Sequence, residues 1–383
     1  MEIYLDNSAT TRPYPEVIET YARAMEEFYA NSESLHPLGI RAGKMLEKAR
    51  ETASSLLSVL PEEIVFTSGG TESNNLAIYG SAHANRERGR HVVTTSIEHP
   101  SVLRVFKQLE KEGFQVTYLP VSEKGEVSLE DVKRSLTDGT ILLSMMYVNN
   151  EVGSIQPVAK IGELLKPYPK VLFHVDAVQA FGKLPLDIKG WGIDLLSLSG
   201  HKFHGPKGTG LLYKNKKVRL SPVLLGGGQE MGLRPGTVNV PGIIALVKAM
   251  RLSLEKKAGF VQKAEEWKKR LCEALLTIPG LMINSPANGA PHILNFSLPP
   301  LKGETLLHAL EEEGMYVSTR SACSSRQEEM SHVLKAMGLT KERGLASIRL
   351  SLSLMNRDEE IEKAIEILKR KLPFMVKMLG GKR

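Results

Sequence analysis

The stretch Ser197–Gly208, SLSGHKFHGPKG, sets Lys202 between His201 and His204 in a Gly- and Ser-rich turn after the apolar run DLLSL. A lysine is costly to bury and is normally exposed. An amine here is either part of an ordinary polar turn or held in place for chemistry. Zinc ligation by the two histidines needs the helix their spacing suggests, and Gly205 and Pro206 dismantle that helix. Three other stretches carry comparable residues. Ser68–Asn75, SGGTESNN, joins two glycines, Thr71 and a helix start. It can seat a phosphate on backbone N–H groups, a hydroxyl and the positive end of a helix dipole. It is not a P-loop, since no Gly-Lys-Ser/Thr follows; the plainer reading is a Thr71 N-cap. His99 precedes a proline at a loop-to-helix junction. It is either a satisfied loop residue or a flat ring that stacks on a cofactor or shuttles a proton. Asp176 ends the apolar run VLFHV, where desolvation disfavours a bare carboxylate. It either caps the next helix or pairs with a cation such as a protonated heteroaromatic nitrogen.

Each of these stretches follows an apolar run rich in β-branched residues. EIVFTS, HVVTTS, QVTYLP, TILLSMMYV, VLFHVDA, DLLSLS and TGLLYK read as strands, and 41–57, 72–86 and 101–112 as helices between them. The alternation predicts an α/β fold with a mostly parallel sheet covered by helices on both faces. Ligands bind such a sheet outside the carboxyl ends of its strands. There the four stretches supply a phosphate seat, a stacking ring, a carboxylate for a pyridine nitrogen and an amine for an aldehyde. Those are a protein's contributions to a pyridoxal 5'-phosphate site with a Schiff-base lysine. On this reading Ser199 and His201 hold the phosphate beside Lys202, whose amine desolvation and neighbouring positive groups leave free to react near neutral pH.

A chain of 383 residues is long for one core. A large domain over 16–250 is expected, with a small α+β domain formed by 1–15 and 251–383; a single elongated domain is the alternative. LLGGGQEMGLRPGTVNVPG reads as a long loop, and 243–278 as one long helix with a break near Gly259. Only two cysteines are present, which excludes a disulfide framework and fits a reducing cytoplasm. Cys272 lies in a helical pattern, KKRLCEALL, as a small packing residue. Cys323 lies in TRSACSSRQEEMSH, poor core material, where Arg320 and Arg326 favour the nucleophilic thiolate. The net charge of +7 arises from lysines set among glutamates, which reads as solvated helix faces and not a nucleic-acid surface. No run is long and apolar enough for a membrane span, and the opening MEIYLDNSATTRPYP is not a secretory signal.

SGGTESNN, EHPSVL, NNEVG, HVDAVQ, SLSGHKFHGPKG, GGGQE with LRPGT, and SACSS occur in the order found in cysteine desulfurases. The chain resembles the iron–sulfur-assembly branch of that family from YLDNSATT to SIRLSLS, nearly its whole length. The resemblance implies a homodimer of the type I (aspartate-aminotransferase-like) pyridoxal-phosphate fold. It implies that Lys202 holds the cofactor, Asp176 pairs with its ring nitrogen, and His99 stacks on the ring. Asn150 and Gln179 would contact the pyridoxal oxygen side. Gly70, Thr71, Ser199 and His201 would take the phosphate, with Thr237 from the other subunit. Arg349, on sequence alone a surface arginine at a strand edge, would clamp the substrate carboxylate, with Asn150 beside it. The implied reaction takes sulfur from L-cysteine, giving L-alanine and a persulfide on Cys323. The sulfur would then pass to an iron–sulfur scaffold protein or another acceptor, such as one for tRNA thiolation. Thr319-Arg320, Met231 and Pro235 depart from common family residues, and the longer tail of many relatives is not seen after LPFMVKMLGGKR. A selenocysteine lyase or an aminotransferase is the neighbouring alternative. Cys323 discriminates, because transamination has no use for a loop thiol. A catalytically silent platform is a third reading, against which the intact Lys202, Asp176 and His99 stand.

Overall fold

Seven strands that the sequence marks as apolar assemble into the central sheet. The computed structural model describes residues 2–319 and 330–380; Cys323, Arg320 and Arg326 lie outside the described residues. The first elements are β1 (Ile3–Tyr4), α1 (Pro15–Glu27) and α2 (Pro37–Leu57). Next come β2 (Ile64–Thr67), α3 (Gly70–Ala84), β3 (His91–Thr95), α4 (Pro100–Lys111), β4 (Gln115–Leu119) and α5 (Leu129–Ser135). They are followed by β5 (Thr140–Met146), α6 (Val158–Leu165), β6 (Leu172–Asp176), β7 (Leu195–Ser199) and β8 (Gly210–Lys214). The sheet order is β2-β8-β7-β6-β5-β3-β4, with β8 antiparallel to both neighbours and the other pairs parallel. The near-continuous apolar runs of β3 and β5 follow from burial on both faces. Val92 and Leu142 pack with Ile78 and Phe106 on one side, while Val93 and Leu143 join the larger core on the other. The fold is α/β of the expected mostly parallel kind.

After β8 the chain runs through α7 (Val240–Glu255) and α8 (Lys257–Leu276) to β9 (Met282–Ile283), β10 (Ile293–Ser297) and α9 (Gly303–Glu311). It continues through β11 (Met315–Tyr316), α10 (His332–Ala336), α11 (Lys341–Leu345), β12 (Ser347–Ser351) and α12 (Asp358–Gly380). The expected break near Gly259 falls instead at Lys256, and Gly259 lies in the first turn of α8. A helical glycine is tolerated at a modest cost, so it did not mark the boundary. A separate apolar core gathers Phe260, Trp267, Phe296, Ile348, Leu350 and Leu368 around the antiparallel β9-β10-β12 sheet.

The N-terminal segment ties this second core to the first. β1 pairs in parallel with β11, and Asp6 bridges to Ser351. Asn7 Nδ2 donates to the Ser351 carbonyl at 2.8 Å, and the Thr11 N–H donates to the His201 carbonyl at 2.9 Å. Residues 6–11 therefore run from β12 to the loop that carries Lys202. Among the described residues, no helix is long and apolar enough to cross a membrane.

Candidate active site

A cavity of about 480 Å³ opens where β2, β5, β6 and β7 end, within the size range of small-molecule sites. Lys202 enters it from a single 3₁₀ turn, Gly200–Lys202, directly after β7. That turn is compact: a Cβ on Gly200 would come within 2.4 Å of Thr209 Oγ1. Lys202 Nζ donates to the carbonyls of Ser8 and Ala9, the latter at 2.8 Å. Behind it, buried Lys183 donates to the Lys202 carbonyl at 3.1 Å. Burial, and then the charge of Lys202, push the Lys183 amine down to about 7. His204, the other histidine of the opening motif, is structural. It bonds the Arg12 carbonyl at 2.7 Å and stacks on Tyr14 with ring centroids 4.3 Å apart.

Helix α3 points its N-terminus into the same cavity. Its N-cap is Gly69, with no side-chain cap, so Thr71 is not the N-cap the plainer reading expects. The first N–H groups of a helix have no intrahelical partner, and here they face a cavity lined by Gly70, Thr71, Ser199 and His201. A Cβ on Gly70 would sit 2.8 Å from Val178 Cγ2 and 3.3 Å from Ser199 Cβ. Only glycine lets the helix start approach Ser199 this closely. His201 bonds Thr10 Oγ1 at 3.2 Å. Burial, then the charges of Lys202, Lys207 and Lys183, push its imidazole down to about 4. A bound dianion would draw a proton back onto it.

Asp176 ends β6 and is buried. Its Oδ1 accepts the Val178 N–H at 3.0 Å, and its Oδ2 accepts Asn74 Nδ2 at 2.8 Å. His99 is the N-cap of α4; its Nδ1 accepts the Ser101 N–H at 3.1 Å while its ring lines the cavity. Burial lowers its affinity for a proton. Asn150 and Gln179 also line the cavity. Gln179 Nε2 donates to the Ser8 carbonyl at 2.9 Å, leaving its buried Oε1 without a partner.

Arg349 departs most from the surface reading. It sits on β12 with 2% exposure and lines the cavity. One terminal nitrogen pairs with Asp6 Oδ1 at 2.6 Å and the other with the Asn150 carbonyl at 2.9 Å, while Nε is buried without a partner. Each terminal nitrogen keeps a second N–H, so the guanidinium retains donors for a carboxylate. Thr237, by contrast, is exposed and does not line this chain's cavity.

The Aminotransferase class-V profile matches residues 3–364. The chain belongs to the class-V aminotransferase family. Among its curated relatives, "NifS/IcsS protein homolog" of Lactobacillus delbrueckii subsp. bulgaricus is 46% identical over 95% of each chain. "Cysteine desulfurase IscS" of Clostridium botulinum is 44% identical over 96% of this chain and 93% of its own. A solved "NIFS-LIKE PROTEIN" superposes with a TM-score of 0.92 at 39% identity, covering 98% of this chain and all of its own. The fold is therefore the type I fold of class-V enzymes, whose cofactor is pyridoxal 5'-phosphate. The cavity fits that group on its own chemistry. It offers an uncapped helix start for a phosphate, an amine for an aldehyde and a buried carboxylate for a ring nitrogen, all on one wall set.

Several residues of this class-V site escaped the sequence reading: Asp6, the Ser8 and Ala9 carbonyls, Asn74, Glu98, Ser101 and Lys183. Asn74 is the one with a readable signal, since it follows Thr71 by three positions and so shares its helix face. Glu98, beside His99, is fully buried. Its Oε1 accepts Thr95 Oγ1 at 2.6 Å and the Met146 N–H at 3.0 Å, while Oε2 has no partner. Burial pushes this carboxyl up to about 8. The folded chain thus keeps a proton that the unfolded chain loses near pH ~4.3. Its stabilising contribution is complete below that value and declines as pH rises to about 8, with a slope of at most ~1.4 kcal/mol per pH unit. Glu98→Gln is expected to remove this slope, so urea melts should show the variant gaining on the wild type between pH 6 and 8. Parallel stability curves would contradict the assignment.

Proposed function

We infer that the chain is a pyridoxal-phosphate-dependent cysteine desulfurase that moves the sulfur of L-cysteine onto Cys323 and releases L-alanine. The observation that carries this reading is Lys202 Nζ sharing one cavity with Asp176, the α3 N-terminus and buried Arg349. When bound, pyridoxal 5'-phosphate supplies an aldehyde that joins an amine and a ring that withdraws electrons from the substrate's Cα.

Lys202 Nζ holds the cofactor and later takes the Cα proton of the substrate. Asp176 holds a proton on the ring nitrogen through Oδ1 or Oδ2. Gly70, Thr71, Ser199 and His201 bind the phosphate at the α3 N-terminus, and His99 stacks on the ring. Asn150 and Gln179 flank the pyridoxal oxygen. Arg349 orients the substrate by its carboxylate through its guanidinium. Cys323 Sγ, as thiolate, forms a bond to the substrate sulfur while the carbon–sulfur bond breaks. The electron pair stays with the carbon fragment, which takes up protons to become alanine, and the transferred sulfur remains as a persulfide.

Thr319 is the last described residue before Cys323, and the neighbouring Ser318 exchanges backbone hydrogen bonds with Arg349 at 2.7 and 3.2 Å. Four residues of extended chain reach about 13–14 Å, which gives Cys323 access to a carboxylate-bound substrate. Residues 16–250 act as the cofactor-binding domain, and 1–15 with 251–383 as the domain that carries Cys323. A second copy of the chain covers the exposed apolar side chains Leu35, Leu38, Leu224, Leu225 and Met231 and brings its Thr237 to the phosphate. The Gln229 to Glu33 hydrogen bond holds the two segments of that patch together. The enzyme works in the cytoplasm and passes sulfur to an iron–sulfur scaffold or another acceptor protein.

The deciding experiment is the mass of the Cys323 peptide after a single turnover with L-cysteine, where one added sulfur is expected. Cys323→Ala should stay yellow with bound cofactor yet form no persulfide. Sustained turnover by that variant would refute Cys323 as the nucleophile.

A further inference from the structure

We propose that Asn74 and Ser101 form a relay from Asp176 to His99 that fixes His99 as the neutral ring with its proton on Nε2. Both are then positioning residues of the reaction.

The argument starts from the one group whose polarity is not negotiable. A carboxylate only accepts hydrogen bonds, so Asn74 must turn its Nδ2 toward Asp176 Oδ2, 2.8 Å away. The second hydrogen of the same Nδ2 goes to Ser101 Oγ at 2.9 Å. Ser101 thus accepts at its oxygen. Because its backbone N–H already claims the Nδ1 lone pair of His99, at 3.1 Å, its hydroxyl hydrogen also points to Nδ1, at 2.8 Å. Two donors converging on one ring nitrogen require its lone pair, so the ring proton sits across the ring on Nε2. The cost of this orientation is visible in the relay: Asn74 Oδ1 is buried without a partner. The amide is turned for Asp176 and not for its own satisfaction.

The titratable groups that act on His99 are Asp176, Lys202 and His332. Burial is the largest influence against a second proton, Lys202 and His332 add to it, and Asp176 opposes them. A neutral ring with Nε2–H gives a hydrogen bond to whatever stands over the cavity. It does not take a proton at that atom. The division of labour follows: Lys202 Nζ is the amine that accepts a proton, and His99 is a donor. Asp176 then sets two things at once, the partner of the cofactor's ring nitrogen and, through the relay, the tautomer of the stacking ring.

This inference rests on the cavity being the pyridoxal-phosphate site, and its test is separable from that reading. Full-length chain labelled with ¹⁵N-histidine is studied with and without added pyridoxal 5'-phosphate, with His99→Gln assigning the ring signals. The wild type should show a pyridine-type Nδ1 and a pyrrole-type Nε2 for His99 at neutral pH. Ser101→Ala removes one of the two donors to Nδ1 and Asn74→Leu frees the Ser101 hydroxyl to turn, so both should raise the population of the Nδ1–H form. Ser101→Thr, which keeps the hydroxyl, should restore the single tautomer. In the loaded enzyme, Ser101→Ala should lower kcat about tenfold, a small part of the ~10²–10⁴ that proton transfer by a positioned group contributes, with KM within about twofold. A wild-type Nδ1–H ring, or a single Nε2–H tautomer in both variants, overturns the proposal. If Asn74→Leu does not fold, Ser101→Ala with its threonine rescue decides the matter. The ring signals are read without cofactor, so a chain that never binds pyridoxal phosphate would sink the function proposed above and leave this result intact.

Discussion

Lys202→Ala is expected to lower alanine formation from L-cysteine by about 10⁴-fold or more, since it removes both the covalent anchor and the proton acceptor. The fold should survive. Lys202 Nζ bonds the Ser8 and Ala9 carbonyls at the wall of an open cavity, and water can replace it there at little cost. Lys183 cannot stand in for it. Lys183 is buried behind the turn, bonded to the Lys202 carbonyl, and does not line the cavity. Alanine release, measured beside a thermal melt by circular dichroism, separates lost chemistry from lost structure. A folded variant retaining even about a tenth of the wild-type rate would be incompatible with the role of general base, whose contribution is ~10²–10⁴.

Arg349→Lys is expected to cost about two to three orders of magnitude in kcat/KM for L-cysteine. Truncating one partner of a buried, hydrogen-bonded charge pair typically costs ~2–5 kcal/mol. Arg349 has three tasks at once: its two terminal nitrogens bond Asp6 and the Asn150 carbonyl, and their remaining N–H groups are left for the substrate. A lysine keeps the charge but has one nitrogen and no planar fork. It can satisfy Asp6 or the substrate, not both in the same geometry. Lysine is the better test than alanine, because alanine leaves Asp6 beside an empty space and confounds binding with stability. The telling measurement is the ratio of kcat/KM for L-cysteine to that for cysteamine, which lacks the carboxylate. The ratio should collapse in Arg349→Lys, and an unchanged ratio would remove Arg349 from substrate binding.

All seven strands of the main sheet are legible in the residue pattern. Six are buried along nearly their whole length and read as apolar or β-branched runs, and the partly exposed edge strand β4 is marked by its β-branched and aromatic residues. The ligand-facing ends could be read for the same reason: Lys202, Asp176, His99 and the Gly70-Thr71 turn each follow such a run directly. Their types narrow the chemistry before any contact is known. A lysine, an aspartate and a glycine-rich helix start together suit few ligands other than a phosphorylated aldehyde with a basic ring.

What the tertiary structure alone decided are the pairings between distant segments. Arg349 reads as a surface arginine because nothing in SIRLSLS reports that residues 6–11 lie across it and bring Asp6 to its guanidinium. Asn74 and Ser101 look like ordinary polar residues of two helices until α3 and α4 pack side by side and their side chains meet beside Asp176. Local pattern records whether a residue faces core or solvent, and it does so through short-range periodicity. Hydrogen-bond polarity is set by the partner across the gap, and the partner's distance along the chain leaves no trace in that periodicity.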